Sequence, residues 1–183
     1  AAWKLQARFL REFLEHVNPH TGMAYKEDPA IVALETINEP IPPAGTPDSV
    51  IVEYINSQVA AIRGTGCTKP VFFNGWGGRL KAVVDSSADG SSHGWYPTGL
   101  VSGSGIGSDC LGMVDRHPTA GDPVLDGTPK MVYEFDAADT VNGVLYPAMA
   151  RTFRSHGIQL ATQFQYDVTE CASHNAHWQT HYL

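Results

Sequence analysis

Helix-like and strand-like segments alternate along the chain, and this alternation is the feature that most limits the possible fold. Amphipathic stretches repeat apolar residues at helical spacing, whereas short runs that are apolar on both faces resemble buried parallel strands. Strands are predicted at 30–37, 71–73, near 91–95, 131–133 and 158–166, and helices at 3–17, 49–63, 79–85 and 143–155. Asp48 or Ser49 is expected to cap the second helix, and Gly157 to end the last one.

Strands that alternate with helices are typical of β/α units and a parallel sheet. The chain shows no internal repeat and no linker, so its 183 residues are predicted to form part of one domain, spanning residues 1–183. The stretch 86–128 is rich in Gly, Ser, Asp and Pro. A loop of this length inside a compact domain tends to be functional or disordered.

Composition excludes several classes of function. The net charge of −7 and the absence of a basic run argue against a nucleic-acid-binding protein. No apolar stretch approaches the roughly 20 residues that a membrane span needs. The chain begins Ala1-Ala2-Trp3 without an initiator Met or an apolar leader, so we expect a processed or excised piece. Three cysteines at wide spacing form neither a disulfide framework nor a zinc signature, and their disulfide status stays open: Cys67, Cys110 and Cys171.

Two of the predicted strands end at a glutamate, Glu39 after the strand at 30–37 and Glu134 after the strand at 131–133. In parallel α/β folds, chemistry gathers at the carboxyl ends of the strands. Cleavage of a glycosidic bond needs two carboxyl groups, one protonated and one ionised. Like-charge proximity separates the pKa values of such a pair. The two glutamates are therefore candidates for these roles.

The sequence around the first glutamate resembles the strand-4 region of clan A glycoside hydrolases, the cellulase- and mannanase-like superfamily of (β/α)8 barrels. The resemblance rests on three segments, Asn18-Pro19-His20-Thr21-Gly22, Asp28-Pro29-Ala30-Ile31 and Glu35-Thr36-Ile37-Asn38-Glu39-Pro40. It implies that Glu39 is the acid/base, that Glu134 is the nucleophile of a retaining mechanism, and that Asn38 holds the sugar 2-hydroxyl. It also implies a β-linked polysaccharide or oligosaccharide as substrate, no cofactor, and an extracellular or periplasmic location.

Four further residues are predicted to contact substrate or catalytic groups. The resemblance implies a Tyr after strand 6 that hydrogen-bonds the nucleophile, and Tyr96 is the candidate. Trp76 and Trp95 follow or end strands and could stack on the apolar face of a sugar, with ordinary packing as the alternative. Gln165 lies where the family places a Trp platform on strand 8.

The resemblance also predicts an incomplete barrel. If 30–37 is strand 4, then 158–166 is strand 8, and strands 1–3 have no counterpart. A full barrel takes about 250 residues. We therefore expect an α/β fold, an incomplete (β/α)8 TIM barrel, whose other part lies on a separate chain or is replaced by another copy of this one.

Two alternative functions stay open. One is an inactive or carbohydrate-binding remnant of the same fold. The other is a metal-dependent hydrolase, because three histidines would share one face of a helix: His174, His177 and His181. No carboxylate or Cys at matching spacing completes that set, so a polar surface helix is favoured and no metal site is predicted.

Three acidic neighbours of the catalytic candidates need their own interpretation. Asp136 and Asp139 follow Glu134 closely enough to share its role. Period-2 parity places Glu35 on the same face as Glu39. In the barrel interior, Glu35 would need a structural partner. The sequence does not identify the sugar, endo or exo action, or the oligomeric state.

Overall fold

The computed structural model describes residues 2–75, 78–99, 110–137 and 143–164. Four helices are present in these ranges: α1 (Ala2–Glu15), α2 (Asp48–Arg63), α3 (Leu80–Val84) and α4 (Leu145–Ser155). Five strands alternate with them: β1 (Leu34–Glu35), β2 (Val71–Asn74), β3 (Gly90–Trp95), β4 (Lys130–Phe135) and β5 (Ile158–Gln163). No helix in the described ranges is long and apolar enough to cross a membrane.

The five strands form one sheet in the order β1-β2-β3-β4-β5. Parallel pairing joins β1 to β2, β2 to β3, and β4 to β5. Strand order follows chain order, which is the order expected of a sheet built from successive β/α units. The predicted parallel sheet is therefore confirmed.

The described residues belong to two compact units, Ala1–Ser92 with Val124–Thr128, and His93–Pro123 with Pro129–Leu183. In the first unit, α1 and α2 pack their apolar faces over β2. Leu14, Ile55 and Ile62 are completely buried in this cluster, beside Val71 at the start of β2. The helical spacing of these side chains explains why the sequence pattern predicted both helices well.

In the second unit, α4 covers β4 and β5. Leu145, Met149 and Phe153 recur every four residues on one face of α4. They pack into a cluster with Val132 of β4 and Trp95 at the end of β3. Two short 3-10 turns, Leu111–Met113 and Pro123–Leu125, lie within the long 86–128 stretch.

Two local predictions were wrong. The strand expected at 30–37 is only two residues long, because only Leu34 and Glu35 find partners in register on β2. The expected side-chain cap of α2 is also absent. Pro47 occupies the N-cap position without a side-chain hydrogen bond, and the carboxylate of Asp48 binds Arg79 instead.

Candidate active site

Both candidate glutamates lie at carboxyl ends of strands, each within its own unit. Glu39 follows the end of β1 in the first unit, and Glu134 is the penultimate residue of β4 in the second. Each is half-buried. Carboxylates at this end of a parallel sheet stand where β/α proteins carry out their chemistry.

The backbone at Glu39 is strained. Its φ angle is +42°, in the left-handed region that residues other than glycine rarely adopt. Such a conformation costs about 1–3 kcal/mol and persists only where the surrounding structure imposes it, which is common at functional sites. Asn38, the predicted contact of the sugar 2-hydroxyl, is exposed next to it.

Glu35 has a structural partner, as the sequence suggested. The hydroxyl of Ser92, a fully buried residue of β3, donates a hydrogen bond to the Glu35 carboxylate. The parity argument that placed Glu35 and Glu39 on one face does not apply, because the regular strand ends at Glu35. Glu35 therefore ties β1 to β3 within the first unit.

In the second unit, the phenol of Tyr96 faces the Glu134 carboxylate. Burial, and then the nearby Glu134 carboxylate, raise the pKa of Tyr96 well above its ordinary value. The Tyr96 ring packs edge-on against Phe164, with ring centroids 6.0 Å apart. A phenol that stays neutral is a hydrogen-bond donor, which suits a residue next to an ionised carboxylate. The structure therefore brings together two of the predicted site residues.

Gly94 lets β3 and the side chains of β4 approach closely. A Cβ on Gly94 would lie 3.1 Å from the hydroxyl of Tyr133, tighter than almost all real contacts. A backbone hydrogen bond from the amide of Asp136 to the carbonyl of Trp95 links the ends of the same two strands.

Trp95 is a packing residue. Its side chain is 3% exposed. Its ring centroid lies 5.2 Å from that of His117 and 5.4 Å from that of Phe153. A ring buried in this way has no face to offer a sugar, so the structure favours the packing alternative. Trp76 and Gln165, the other two predicted contacts, lie outside the described residues.

Asp136 is also structural. It is completely buried, and its Oδ1 accepts hydrogen bonds from the hydroxyl of Tyr146 at 2.7 Å and from the amide of Ala137 at 2.8 Å. Burial, followed by the bond to Asp136, raises the pKa of Tyr146. Both bonds end on Oδ1, and the one from Tyr146 anchors α4 to the end of β4. Asp139 lies outside the described residues.

A pair of buried histidines was missed by the sequence analysis. His93 and His117 lie with ring centroids 5.6 Å apart, and the hydroxyl of Thr119 is 3.1 Å from Nδ1 of His93. Nδ1 of His117 accepts hydrogen bonds from the amides of Thr119 and Ala120. His93 was recoverable in principle, since it lies within a strand, whereas His117 lies in a loop with no periodicity to mark it.

Among the described residues, no group of three or more His, Cys, Asp or Glu side chains could hold a metal ion. The three histidines of the alternative metal site, His174, His177 and His181, lie outside the described residues. Cys67 and Cys110 are both buried, and Cys171 lies outside the described residues.

Solved structures resemble this chain closely in fold. A hyperthermostable endo-1,4-β-D-mannanase from Thermotoga petrophila superimposes with a TM-score of 0.71 over 99% of this chain, at 15% sequence identity. An endo-1,4-β-mannanase from Rhizomucor miehei gives a TM-score of 0.63 over 94% of the chain, at 16% identity. The catalytic domain of an endoglucanase from Thermobifida fusca gives 0.53 over 90%, at 15% identity.

The fold is an incomplete (β/α)8 barrel. The chain spans 60%, 54% and 52% of the lengths of those three proteins. No protein-family model and no curated protein sequence matches it. The structural similarity thus confirms the predicted fold class and the resemblance in fold to barrel glycoside hydrolases. At these sequence identities it shows the fold alone.

Proposed function

We propose that this incomplete barrel carries the catalytic pair of a retaining glycoside hydrolase that acts on a β-linked polysaccharide or oligosaccharide. The observation that supports the proposal most directly is that Glu39 and Glu134 follow or end two strands of a sheet whose fold is that of glycoside hydrolases. The strained backbone at Glu39 and the phenol facing Glu134 add to it.

The mechanism is a double displacement that uses two carboxyl groups and water. Protonated Glu39 donates its proton to the glycosidic oxygen while the Glu134 carboxylate attacks the anomeric carbon, and the leaving sugar departs. Glu39 then takes a proton from water, which attacks the glycosyl-enzyme and frees Glu134. A retaining pair should have carboxyl groups about 5–5.5 Å apart.

Neighbouring side chains would support these steps. Asn38 holds the sugar 2-hydroxyl, a contact that strengthens in the transition state. Tyr96 donates a hydrogen bond to Glu134 and keeps its carboxylate ionised and oriented. Neither displacement step requires a cofactor. A mannan-like or glucan-like substrate is proposed because the similar structures include mannanases and an endoglucanase.

The test is hydrolysis of β-mannan, β-glucan and matching 2,4-dinitrophenyl glycosides by the parent chain, Glu39→Ala, Glu134→Gln and the control Glu53→Gln. Glu53 is an exposed residue of α2, so the control changes the same charge away from the site. Loss of activity is expected in the first two variants and not in the control. Azide should restore turnover of the activated glycoside by Glu39→Ala, because it replaces base-activated water in the second step.

The configuration of the azide product gives a further readout. A β-glycosyl azide is expected from Glu39→Ala, since two inversions at the anomeric carbon restore its configuration. An α-glycosyl azide from this variant, or full activity of Glu134→Gln, would reject the assigned roles.

A second candidate function is carbohydrate binding without catalysis. It is favoured by one observation, that the chain spans only 52–60% of the similar structures reported above. Binding of a β-linked oligosaccharide by calorimetry, with no product from any substrate of the panel, would support this candidate over the hydrolase.

We further propose that additional β/α units of the same barrel, on this polypeptide or on another, pack against α1. Leu5 and Phe9 on α1 are 64% and 60% exposed, and β1 stands at the end of the strand order. An apolar helix face of this kind normally packs against another element. Sedimentation velocity of the parent and of Phe9→Glu tests whether a second copy takes that place. A dimer that Phe9→Glu dissociates would identify the second copy as the partner.

A further inference from the structure

The first unit contains an apolar cavity of about 480 Å³ behind the segment that carries Glu39. We call it the α1–α2 pocket, because the beginnings of both helices form two of its walls. Ile37 and Pro40, which flank Asn38 and Glu39, form a third wall. Its volume lies within the range of about 300–1,000 Å³ that is typical of small-molecule sites.

Three aromatic rings follow one another along the pocket. Trp3 and Tyr54 have ring centroids 5.3 Å apart at an interplanar angle of 52°. Tyr54 and Phe73 have centroids 6.0 Å apart at 77°. Tilted and edge-on arrangements of this kind extend readily to one more aromatic ring. Ile41 lies on the pocket lining with 80% of its surface exposed, at the entrance.

Most polar side chains in the wall are engaged by the protein itself, and the buried Asn74 also lines the pocket. The Gln6 amide donates to the carbonyl of Thr36 at 3.0 Å and accepts from the Tyr54 hydroxyl at 2.6 Å. The Arg79 guanidinium binds the Asp48 carboxylate at 2.7 Å. A sugar ring that entered the pocket would lose hydrogen bonds to water and regain few of them from these groups. The lining therefore disfavours a sugar and suits a group without hydrogen-bonding demands.

We propose that the α1–α2 pocket binds an uncharged aryl group of one or two rings. The group arrives either as a free aromatic molecule or as the aglycone of an aryl glycoside. The pocket is built wholly from residues of the first unit, so this proposal stands whether or not the chain hydrolyses glycosides. An occupant would contact Ile37 and Pro40 and so hold the backbone on both sides of Glu39.

The direct test is calorimetric titration of the parent chain with 2-naphthol, which is neutral at pH 7. Saturable one-to-one binding is expected. Ile41→Asp, which introduces a charge at the entrance, should weaken it about tenfold or more because an aryl group cannot solvate a carboxylate. The matched control is Val32→Asp, another strongly exposed position of the same unit that does not line the pocket. Melting temperatures of both variants should stay close to that of the parent.

Absence of saturable binding, or an equal effect of Ile41→Asp and Val32→Asp, would overturn the proposal. Methyl β-D-mannopyranoside provides a second test, since it carries the sugar without the ring. If it displaces 2-naphthol, the pocket is a sugar site and the proposal is wrong.

2-Naphthyl β-D-mannopyranoside separates the two sources of the aryl group. Tighter binding than 2-naphthol indicates an aglycone site, and weaker binding indicates a site for a free aromatic molecule. Either result keeps the proposed chemistry.

Discussion

Mild acid should destabilise this protein through its two buried imidazoles. Burial, with a smaller contribution from Lys130, lowers the pKa of His93 from 6.5 to about 4. Burial, followed by the charges of His93 and His156, lowers the pKa of His117 from 6.5 to about 3. Both side chains are therefore neutral in the folded protein at any pH above these values.

The sign of the effect follows from the lowered pKa values. In the unfolded chain each imidazole takes up a proton as the pH falls through 6.5, whereas in the folded chain it stays neutral until about pH 4 or 3. Between pH 6.5 and these lower values the unfolded state binds more protons than the folded state. The free energy of unfolding therefore decreases as the pH is lowered. From pH 8 to pH 5 the loss is about 2 kcal/mol for each histidine. The two together amount to a large part of a typical stability of about 5–15 kcal/mol.

The assay is urea unfolding, followed by circular dichroism, at pH 8 and pH 5. His117→Asn keeps an acceptor, because the amide oxygen of Asn can replace Nδ1 opposite the amides of Thr119 and Ala120. This variant should lose about 2 kcal/mol less than the parent between the two pH values. Carboxylates titrate alike in both proteins and cancel in the difference.

The control is His20→Gln, which removes an exposed imidazole. It should show the same pH dependence as the parent. If His117→Asn and the parent lose equal stability between pH 8 and pH 5, the argument from burial of His117 is refuted.

Three further predictions follow from single contacts. Tyr96→Phe should lower kcat/KM for an aryl glycoside about 10- to 100-fold with little change in melting temperature, because the proposed function gives Tyr96 a charge-assisted hydrogen bond to Glu134 during catalysis; unchanged kinetics would exclude that role. Asp136→Asn should lower the free energy of unfolding by about 1.5–3 kcal/mol, whereas Glu53→Gln, at an exposed position of α2, should change it by less than about 0.5 kcal/mol; equal losses in urea unfolding would contradict the structural assignment of Asp136. Leu14→Ala should lower the free energy of unfolding by about 2–5 kcal/mol because Leu14 is fully buried. Leu5→Ala, at an exposed position of the same helix, should lower it by less than about 0.5 kcal/mol. Similar urea midpoints for the two variants would be inconsistent with this packing.

Much of the architecture was predictable because it follows from the local spacing of apolar residues along the sequence. The apolar residues of α1 and α4 recur at helical spacing, and the order of helices and strands along the chain already indicated a parallel sheet. The length of β1 was not predictable. The residues before it, 30–33, are also apolar, but a strand extends only where a neighbouring strand supplies hydrogen-bond partners.

Side-chain roles depended on contacts between residues far apart in the chain. Trp95 and Tyr96 are adjacent aromatic residues, yet one is buried against Phe153 and the other faces Glu134. Asp136 and Glu134 are near neighbours, and only the position of Tyr146 on α4 makes Asp136 an anchor. No local pattern distinguishes the members of either pair.

The sequence by itself thus determined the alternation of elements, the parallel sheet and the placement of one glutamate after β1 and one near the end of β4, because these depend on periodicity and on short motifs. The tertiary structure alone decided which aromatic rings are buried, which carboxylate is structural, and where the α1–α2 pocket and the histidine pair lie. These features arise from burial, and burial is set by the packing of segments that the sequence keeps far apart.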